Sequence, residues 1–341
     1  MTKLKIIDVT QWKKEIHKHT SGRRTKYIFY SPKLEKYYFK MSLRESKKDY
    51  KFEFWSEIIA SKIGKLFGFN VVDYNIAYNK TEIGCISQSI ITDENEDLSE
   101  GYGFIVEKYP DFQANFKKTH SFQKIIGALK HIHLEHCINA VLEMIIFDTI
   151  IGNTDRHSEN WGIVITNRLL DDIFKKMSWW GKIKFKIHIY FRTNGQMSFR
   201  KLVKQYKETN WRFSPLYDNG SSLGRELSEE KIINLLNNED EFDKFIHKGK
   251  PDIRWNDKNL THFELIDVLL LEHNSEMRQI IENVKTRYNK NIIETIINNI
   301  DSNIPTKFNE YKLSDNRKRF IIKNVDKRIN FLINKSNEQL Q

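Results

Sequence analysis

The sequence predicts an α+β fold with two lobes, a β-rich N-terminal lobe and a mainly helical C-terminal lobe that carries a β-hairpin insertion. Two observations support this fold class. The first ninety residues contain short runs of aromatic and β-branched residues around one helical pattern, and beyond about residue 120 the apolar residues recur at helical spacing. The chain has 341 residues, of which 39% are hydrophobic, which is enough for two lobes. We place the lobes at residues 1–110 and 111–341.

The first two strands are predicted to form a hairpin. Lys26 to Tyr30 reads KYIFY and Lys36 to Met41 reads KYYFKM, and both are rich in aromatic residues that favour strands. The residues between them, SPKLE, contain a proline that is typical of a turn.

A helix and two further strands follow this hairpin. In Phe52 to Phe67 (FEFWSEIIASKIGKLF) the apolar residues recur at helical spacing, and Gly68 fits the position just after a helix end. Val71 to Ala77 and Glu82 to Ile91 have the composition of strands. The predicted order in this lobe is therefore β-β-α-β-β.

The C-terminal lobe is predicted to centre on one buried helix. Ile138 to Ile151 (INAVLEMIIFDTII) is apolar on nearly all sides, so it should be surrounded by protein, and Gly152 ends it. A polar loop, NTDRHSEN at 153–160, and a short strand, WGIVI, come next. After residue 228 five segments have a helical pattern: Glu229 to Leu236, His262 to Leu271, Ser275 to Tyr288, Lys290 to Ile300 and Ser314 to Lys335.

One segment of the C-terminal lobe has a different pattern. In Lys182 to Arg192 (KIKFKIHIYFR) apolar residues alternate strictly with lysine, histidine and tyrosine, which is the period of a half-buried strand. Asn194-Gly195 follows as a strong hairpin-turn signal, and Gln196 to Tyr206 would return as the second strand. We therefore predict a β-hairpin at 182–206, with an apolar and a basic face, inside an insertion at about 168–212.

The positive charge of the chain is concentrated in this insertion. The net charge is +11, and residues 168–212 contain twelve Lys/Arg against three Asp/Glu, while the rest of the chain has 44 basic and 42 acidic residues. A local basic surface favours an anionic partner. The hairpin is expected either to dock an acidic or nucleic-acid-associated partner or merely to pack on the C-terminal lobe. Trp179, Trp180 and Trp211 flank it as core or base-stacking residues.

Composition excludes several protein classes. No apolar run reaches the ~18 residues needed to cross a membrane. The N-terminal residues lack the apolar segment and small-residue cleavage site of a secretory signal. The two cysteines, Cys85 and Cys137, lie in apolar stretches and form neither a disulfide framework nor a CxxC metal pair. We therefore expect a cytoplasmic protein without a transmembrane segment.

The residues that carry chemistry lie mainly in the polar loop and in a later LYDNG motif. Phosphoryl transfer needs a carboxylate to accept the proton of the attacking hydroxyl, oxygen ligands for Mg²⁺, and a lysine on the phosphates with an acid that orients it. Asp155 and Asn160 have the spacing of the kinase D-x-x-x-x-N loop. Asp218 opens Asp-Asn-Gly, where the glycine would allow a sharp bend. Lys40 ends a strand, and Glu57 lies on the next helix.

NTDRHSENWG at 153–162 together with SPLYDNGSSL at 214–223 resembles the HipA-like serine/threonine protein kinase family, including its compact bacterial CtkA-like members. The likeness extends from Thr20 to about Leu332 and is specific at these two motifs. It implies a bilobal protein-kinase-like fold, ATP and Mg²⁺ as cofactors, and transfer of a phosphoryl group to serine or threonine of a protein substrate.

The resemblance also implies roles for individual residues of the two motifs. Asp155 would be the catalytic base, and Asn160 and Asp218 would bind Mg²⁺. His157 would brace the loop, and Asn153 would support its start.

In the N-terminal lobe the resemblance implies that Lys40 contacts the ATP phosphates and that Glu57 pairs with it from the helix. Glu53 lies one turn earlier on the same helix and is the alternative partner. A lysine at the end of an aromatic strand can also be a solvated edge residue. The order of a strand lysine followed by a helix glutamate favours the ATP role.

A phosphate-covering loop and an adenine contact are implied as well. The loop would be SGRRTK at 21–26, in which the candidate nucleotide-binding residues are Ser21, Gly22 and Arg23. Near the adenine, ISQSI at 86–90 offers Gln88. Loops of this kind can be autophosphorylated in the family, and the candidate sites are Thr20, Ser21 and Thr25.

The sequence departs from the family pattern in three ways. The phosphate-covering loop has one glycine, Gly22, instead of G-x-G-x-x-G. The stretch between Asn160 and Asp218 is much longer than the family's short strand connection, and the predicted hairpin fills it. HipA proteins carry an extra N-terminal subdomain for which this chain has no room. We therefore expect the shorter stand-alone form, acting as a growth-inhibiting toxin with an antitoxin partner or as an effector.

Two other function classes are open at this point. The D-R-H-x-x-N order also resembles phosphatidylinositol kinases, and a basic hairpin could meet anionic lipid. The other class is a non-catalytic module that binds nucleic acid or protein on a kinase scaffold. The presence of Lys40, Asp155, Asn160 and Asp218 argues against that module, although D-x-x-x-x-N and Asp-Asn-Gly taken singly are ordinary turn sequences.

Overall fold

The structure of the protein is a computed structural model that describes residues 4–15, 26–42, 44–45, 48–114, 119–166, 176–193 and 198–338. In these residues a β-rich N-terminal part is followed by a mainly helical part, so the predicted α+β class is confirmed.

The described N-terminal part contains eight short strands: β1 (Ile6–Asp8), β2 (Lys13–Lys14), β3 (Lys26–Tyr30), β4 (Lys36–Lys40), β5 (Arg44–Glu45), β6 (Lys48–Asp49), β7 (Asn75–Tyr78) and β8 (Ile83–Gln88). Six of them form one sheet in the order β1-β7-β8-β4-β3-β2. Strands β1 and β7 run parallel, and the other neighbours run antiparallel. The predicted hairpin is confirmed as β3 and β4, in which Lys26 lies opposite Lys40.

Helix α1 (Glu53–Phe67) lies between this sheet and the C-terminal helices. It is buried along most of its length, and Gly68 ends it in the left-handed conformation (φ 81°), which a residue without a Cβ adopts readily. Near its N-terminal end, Trp55 donates a hydrogen bond from Nε1 to Tyr311 O at 2.7 Å. Helix α1 therefore connects the N-terminal sheet to the rest of the molecule.

A three-stranded antiparallel sheet lies next to the polar loop at 153–160. It consists of β9 (Glu96–Glu100), β10 (Gly162–Thr166) and β11 (Trp211–Phe213), with β10 in the middle. Strand β10 directly follows the polar loop, and β11 directly precedes the LYDNG motif. The pairing of β10 with β11 therefore brings the two motifs together, although the whole insertion separates them along the chain.

The remaining α-helices in the described residues are α2 (Gly101–Lys108), α3 (Phe122–His131), α4 (Ile138–Ile151), α5 (Trp179–Arg192), α6 (Phe199–Asn210), α7 (Glu229–Asn237), α8 (Glu239–Lys248), α9 (His262–Glu272), α10 (Asn274–Arg287), α11 (Lys290–Asn298) and α12 (Asp315–Glu338). Helix α4 has the predicted bounds and is buried, with α9, α10 and α12 packed around it. The five segments predicted after residue 228 correspond to α7, α9, α10, α11 and α12. Helices α2, α3 and α8 were not predicted.

One continuous hydrophobic core extends from α1 through α4 to α12. A smaller second core lies within the six-stranded sheet, where Phe29 and Phe39 pack at a ring distance of 5.9 Å. Both cysteines are buried free thiols. Burial raises the pKa of Cys137 to about 12 and raises that of Cys85 as well, so neither is poised as a reactive thiolate.

The predicted β-hairpin at 182–206 is wrong. Lys182–Arg192 lies inside helix α5, most of the second arm lies inside helix α6, and the predicted Asn194-Gly195 turn is outside the described residues. Each helix begins after a serine, Ser178 or Ser198, whose side chain accepts a hydrogen bond from the backbone of the first turn. The helices therefore have ordinary N-caps, and the alternation of apolar and basic residues in α5 does not produce a strand.

Across the ranges that the structure describes, no helix is long and apolar enough to cross a bilayer.

Candidate active site

A cleft of about 560 Å³ opens between the six-stranded sheet and the loops at the two motifs. Its volume falls in the range of roughly 300–1,000 Å³ that is usual for small-molecule sites. Strand β4 contributes Tyr38 and Lys40, and the end of β8 with the residues after it contributes Ser87 to Ile91. On the opposite side Asn160 and Asp218 line the cleft together with residues of β9.

Lys40, at the end of β4, lies between two carboxylates. Its Nζ is 2.9 Å from Glu57 Oε1 and 3.3 Å from Asp218 Oδ1. Burial lowers the pKa of Lys40, but the charges of Asp218 and Glu57 outweigh it and raise the pKa well above its ordinary value. Lys40 is therefore a permanently charged cation in the wall of the cleft and not a solvated edge lysine.

Glu57, on the inner face of α1, connects this lysine to the LYDNG motif. Its Oε2 accepts a hydrogen bond from Asn219 N at 2.8 Å, while its Oε1 contacts Lys40. Glu53, the other candidate partner, forms an ion pair with Arg225 instead. Of the two glutamates, Glu57 is the one in contact with Lys40.

The polar loop holds Asp155 and Asn160 by hydrogen bonds to its own backbone. Asn153 Oδ1 accepts from Asp155 N at 3.2 Å, and Asn160 Nδ2 donates to Asp155 O at 2.7 Å. The Asp155 carboxylate accepts a hydrogen bond from Ser221 Oγ at 3.1 Å. Since its amide nitrogen is engaged, Asn160 has its amide oxygen left as the group that can bind a cation.

Arg156 ties this loop to the rest of the molecule, and it was not singled out from the sequence. Its fully buried guanidinium makes two hydrogen bonds to the Asp148 carboxylate, at 2.9 and 2.8 Å. It also donates to Asn160 O at 2.8 Å, to Tyr217 O at 2.6 Å and to Asn219 Oδ1 at 2.6 Å. One side chain thus fixes the loop, helix α4 and the LYDNG motif relative to one another.

A signal for Arg156 was present in the sequence. Asp148 is the acidic residue near the end of the otherwise apolar INAVLEMIIFDTII, and a buried carboxylate requires a charged or hydrogen-bonding partner. His157, which was expected to brace the loop, lines the cleft, and its Nδ1 accepts from Glu159 N at 3.3 Å within the loop itself. The neighbouring arginine, and not His157, makes several of the contacts that anchor the loop to other elements.

Asp218 adopts the left-handed backbone conformation, with φ 55°. A non-glycine residue in this region carries a strain of about 1–3 kcal/mol, so the contacts around it must hold it there. Gly220, the residue expected to provide the bend, is not among the described glycines with positive φ. The bend is therefore made by the aspartate, which lies between Lys40 and Lys26, with Lys26 Nζ 3.7 Å from Asp218 Oδ2. Lys26 was not singled out from the sequence.

Of the other candidate nucleotide-binding residues, the structure describes Gln88 but not those of the phosphate-covering loop. Gln88 is exposed at the end of β8 and lines the cleft. Ser21, Gly22 and Arg23 are outside the described residues, as are Thr20 and Thr25.

Comparison with solved structures identifies similar folds. The chain is similar to the Helicobacter pylori proinflammatory kinase CtkA, with 18% sequence identity, 99% coverage of both chains and a TM-score of 0.72. It also matches HipA of Shewanella oneidensis MR-1, in a toxin–antitoxin complex with HipB and operator DNA, with 11% identity, 96% coverage of this chain, 66% of that chain and a TM-score of 0.49. No protein-family model matches the chain, and no curated protein matches it either. The chain therefore has the fold of the bacterial kinase CtkA, and the resemblance to HipA-like kinases predicted from the two motifs is confirmed for the fold.

Proposed function

We propose that this chain is an ATP- and Mg²⁺-dependent protein kinase that phosphorylates serine or threonine. The observation that carries the proposal is the contact of Lys40 with both Glu57 and Asp218 at the cleft, beside the loop with Asp155 and Asn160. These residue types are the ones that phosphoryl transfer requires, and they come from four separate parts of the chain: strand β4, helix α1, the polar loop and the LYDNG motif. A chance cluster of turn residues has no reason to converge in this way.

The donor set of the cleft suits Mg²⁺ and nucleotide phosphates. The Asp218 carboxylate and the Asn160 amide oxygen are hard oxygen ligands of the kind that Mg²⁺ prefers, and both line the cleft. Lys40, held between two carboxylates, would bind the phosphates as a charged group. When bound, Mg²⁺ and ATP supply the transferable phosphoryl group and the neutralisation of its charge.

The residues of the chain would have separate roles in the reaction. Asp155 would accept the proton of the attacking hydroxyl as its oxygen bonds to the γ-phosphorus, while the bond from that phosphorus to the bridging oxygen breaks and ADP leaves. Ser221 would hold the Asp155 carboxylate in place. Glu57 fixes the ammonium of Lys40, and Arg156 fixes the backbone on which Asn160 lies. Gln88 would contact the adenine edge, while Ser21, Gly22 and Arg23 would cover the phosphates. Autophosphorylation would occur at Thr20, Ser21 or Thr25.

The proposal extends to a biological role. By the motif resemblance to HipA-like kinases, we propose that the chain is a growth-inhibiting toxin controlled by an antitoxin, or an effector. Expression of the wild type and of Asp155→Asn in a bacterial host tests the toxin role, since only the wild type should arrest growth. Equal growth with both would contradict a toxin role that depends on phosphoryl transfer.

The predicted lobes at 1–110 and 111–341 remain a prediction. The six-stranded sheet ends at Gln88, and β9 pairs with β10 instead of joining that sheet. This pairing supports placing the boundary between the two lobes near residues 89–95, earlier in the chain than residue 110.

The decisive experiment incubates the purified protein with labelled ATP, Mg²⁺ and myelin basic protein, beside Asp155→Asn and Asp218→Ala. We expect label on serine or threonine of the acceptor with the wild type and none with either variant, while thermal unfolding shows that both variants fold. Full labelling by Asp155→Asn would overturn the role of Asp155. A folded wild type that does not bind ATP would overturn the kinase proposal.

A phosphoinositide-type lipid kinase is the second candidate. It is favoured by the D-R-H-x-x-N order and by the exposed basic and aromatic surface of α5. Phosphoinositide vesicles offered with labelled ATP, in parallel with the protein acceptor, separate the two activities. A non-catalytic binding module would instead bind its partner without any turnover of ATP.

A further inference from the structure

Helix α5 exposes a set of large apolar side chains that the proposed kinase site does not use. We call Trp179, Trp180, Ile187, Tyr190 and Phe191 the α5 stripe. Trp180 is 66% exposed, Ile187 is 50% exposed and Phe191 is 72% exposed. Single exposed apolar residues are common, but a cluster of this size on one helix marks an interaction surface.

The α5 stripe is distinct from the side of α5 that packs on the protein. Ile189 is buried, and the ring of Phe185 lies 6.1 Å from that of Phe199 on α6. Trp180, Ile187 and Phe191 are spaced by seven and then four residues, so they lie along one line of the helix, roughly opposite Phe185 and Ile189. Helix α5 therefore has two apolar sides, and α6 covers one of them.

Positive charges flank the α5 stripe. The described residues 176–193 contain five Lys/Arg and no Asp/Glu. Lys184, Lys186 and Arg192 have exposed side chains on α5, and α6 adds exposed Arg200 and Lys201. An apolar line bordered by cations and free of carboxylates is complementary to a surface that is apolar inside and anionic outside.

The C-terminal end of α6, the helix that supports α5, is attached to the rest of the protein. Lys207 on α6 is buried, donates from Nζ to Ile132 O at 3.0 Å and lies 4.2 Å from the centre of the Trp211 ring. Helix α6 leads directly into β11, which pairs with β10 beside the cleft. The α5 stripe is thus presented on a fixed support next to the three-stranded sheet.

We propose that the α5 stripe docks on an anionic phospholipid surface, with α5 lying in the plane of the interface. The indoles and Phe191 enter the boundary between head groups and acyl chains, where Trp and Tyr are favoured, and the lysines face the lipid phosphates. Nucleic acid, the anionic partner expected from the sequence, fits less well, because aliphatic Ile187 in the middle of the stripe cannot stack on a base.

The test is co-sedimentation of the full chain with vesicles of phosphatidylcholine alone or mixed with phosphatidylglycerol, at low and high salt. The wild type should bind the anionic vesicles, bind less as salt rises, and shift its tryptophan emission to the blue as the indoles leave water. Binding that is equal on neutral and anionic vesicles, or absent on both, overturns the proposal.

Variants assign the binding to the stripe. Phe191→Ser should weaken vesicle binding by about tenfold, and Trp180→Ser combined with Phe191→Ser should weaken it further. Leu271→Ser is the matched control, because Leu271 is 73% exposed but lies on α9. Since all three side chains are exposed, the variants should fold like the wild type. Equal binding by the stripe variants and the wild type would overturn the proposal.

Two other possible partners of the α5 stripe, nucleic acid and a second copy of the chain, would give different results. Binding to single-stranded RNA without binding to vesicles, lost in Trp180→Ser, would assign the surface to nucleic acid and overturn the lipid proposal. A dimer in sedimentation velocity that dissociates in Phe191→Ser, without vesicle binding, would assign it to a second copy of the chain. None of these readouts depends on phosphoryl transfer, so they stand apart from the kinase assay.

Discussion

At the scale of single residues, the geometry of the cleft depends most on Arg156. The arginine is enclosed and pairs with Asp148, and the field of that carboxylate raises its pKa against the lowering effect of burial. Arg156→Met would leave the Asp148 carboxylate buried with the hydrogen bond from Asn153 but without its opposite charge, and losing one partner of a buried ion pair costs about 3–5 kcal/mol. We expect a fall of this size in the free energy of unfolding, measured by urea denaturation.

The double variant Asp148→Leu with Arg156→Met provides the control. Removing both charges should restore part of the lost stability, because no unpaired charge is left in the core. Phosphoryl transfer should stay low in the double variant, since Asn160 O and Tyr217 O have lost their common donor. A double variant less stable than Arg156→Met would contradict the role given to the pair.

Glu57 and Glu53 offer a matched pair of substitutions on one helix. Glu57→Gln weakens the contacts with Lys40 and Asn219 N, so we expect phosphoryl transfer to fall by about a hundredfold. Glu53→Gln weakens the pair with Arg225, which does not involve Lys40 or Asn219, and should keep most of the activity. The labelled-ATP assay on both variants checks this, and equal activity losses would contradict it.

The sequence pointed to Lys40, Asp155, Asn160 and Asp218 as candidate site residues because the proposed reaction requires these residue types at such spacings. It did not identify Arg156, because the role of this residue is to satisfy a charge buried elsewhere, and that need becomes visible only when helix α4 is known to be enclosed. The left-handed conformation of Asp218 was also missed, since the nearby glycine was the obvious residue for the bend.

At the scale of elements, the end of helix α4 sets the start of the polar loop. Gly152 ends the helix with φ 65°, and a Cβ added there would lie 3.0 Å from the guanidinium of Arg328. Gly152→Ala should therefore lower the free energy of unfolding by about 1 kcal/mol or more. Thermal or urea unfolding measures this change.

Gly103→Ala is the control for that substitution. Gly103 lies in helix α2, and a Cβ there would meet no atom within 4 Å. Alanine has a higher helix propensity than glycine, so this change should be neutral or stabilising. Similar losses of stability in both variants would show that the left-handed position has no special importance.

The elements that could be predicted are those with one dominant periodicity, such as the strands of the first hairpin and the fully apolar helix α4. Helix α5 could not be predicted in the same way. Its alternation of Ile or Phe with Lys has the period of a strand. On a helix the same residues place apolar side chains on two sides, so the pattern lacks the single apolar face by which a helix is usually predicted. The serine caps at Ser178 and Ser198 were the local signals for helices, and the alternation was given more weight.

At the scale of the whole molecule, two buried histidines make stability depend on pH. Burial lowers the pKa of His120 to about 3, and Trp161 Nε1 donates to its Nε2 at 3.4 Å, which requires the neutral ring. Burial and the nearby Arg328 lower the pKa of His262 well below its ordinary value. The unfolded chain binds these protons near pH 6.5, so the stability is complete above that pH and is lost as the pH falls below it.

This dependence can be measured by urea unfolding at about pH 7 and about pH 5. Each histidine should contribute about 1 kcal/mol per pH unit on average across this window, with the slope approaching roughly 1.4 kcal/mol per pH unit at its acid end. His262→Leu should make the slope shallower. Leu265→Ala, at a buried position of the same helix α9 that does not titrate, should lower the stability without changing the slope. An unchanged slope in His262→Leu would contradict the account.

The pairing of β10 with β11 has a consequence for how such a protein can change over evolutionary time. The two strands hold the ends of the 167–210 segment side by side, so whatever lies between them forms a closed loop. The entropy lost in closing a flexible loop grows slowly, by about 0.6 kcal/mol for each doubling of its length. Segments of very different length and chemistry can therefore be exchanged at this point while Asn160 and Asp218 keep their positions, so new partners can be acquired without rebuilding the chemistry.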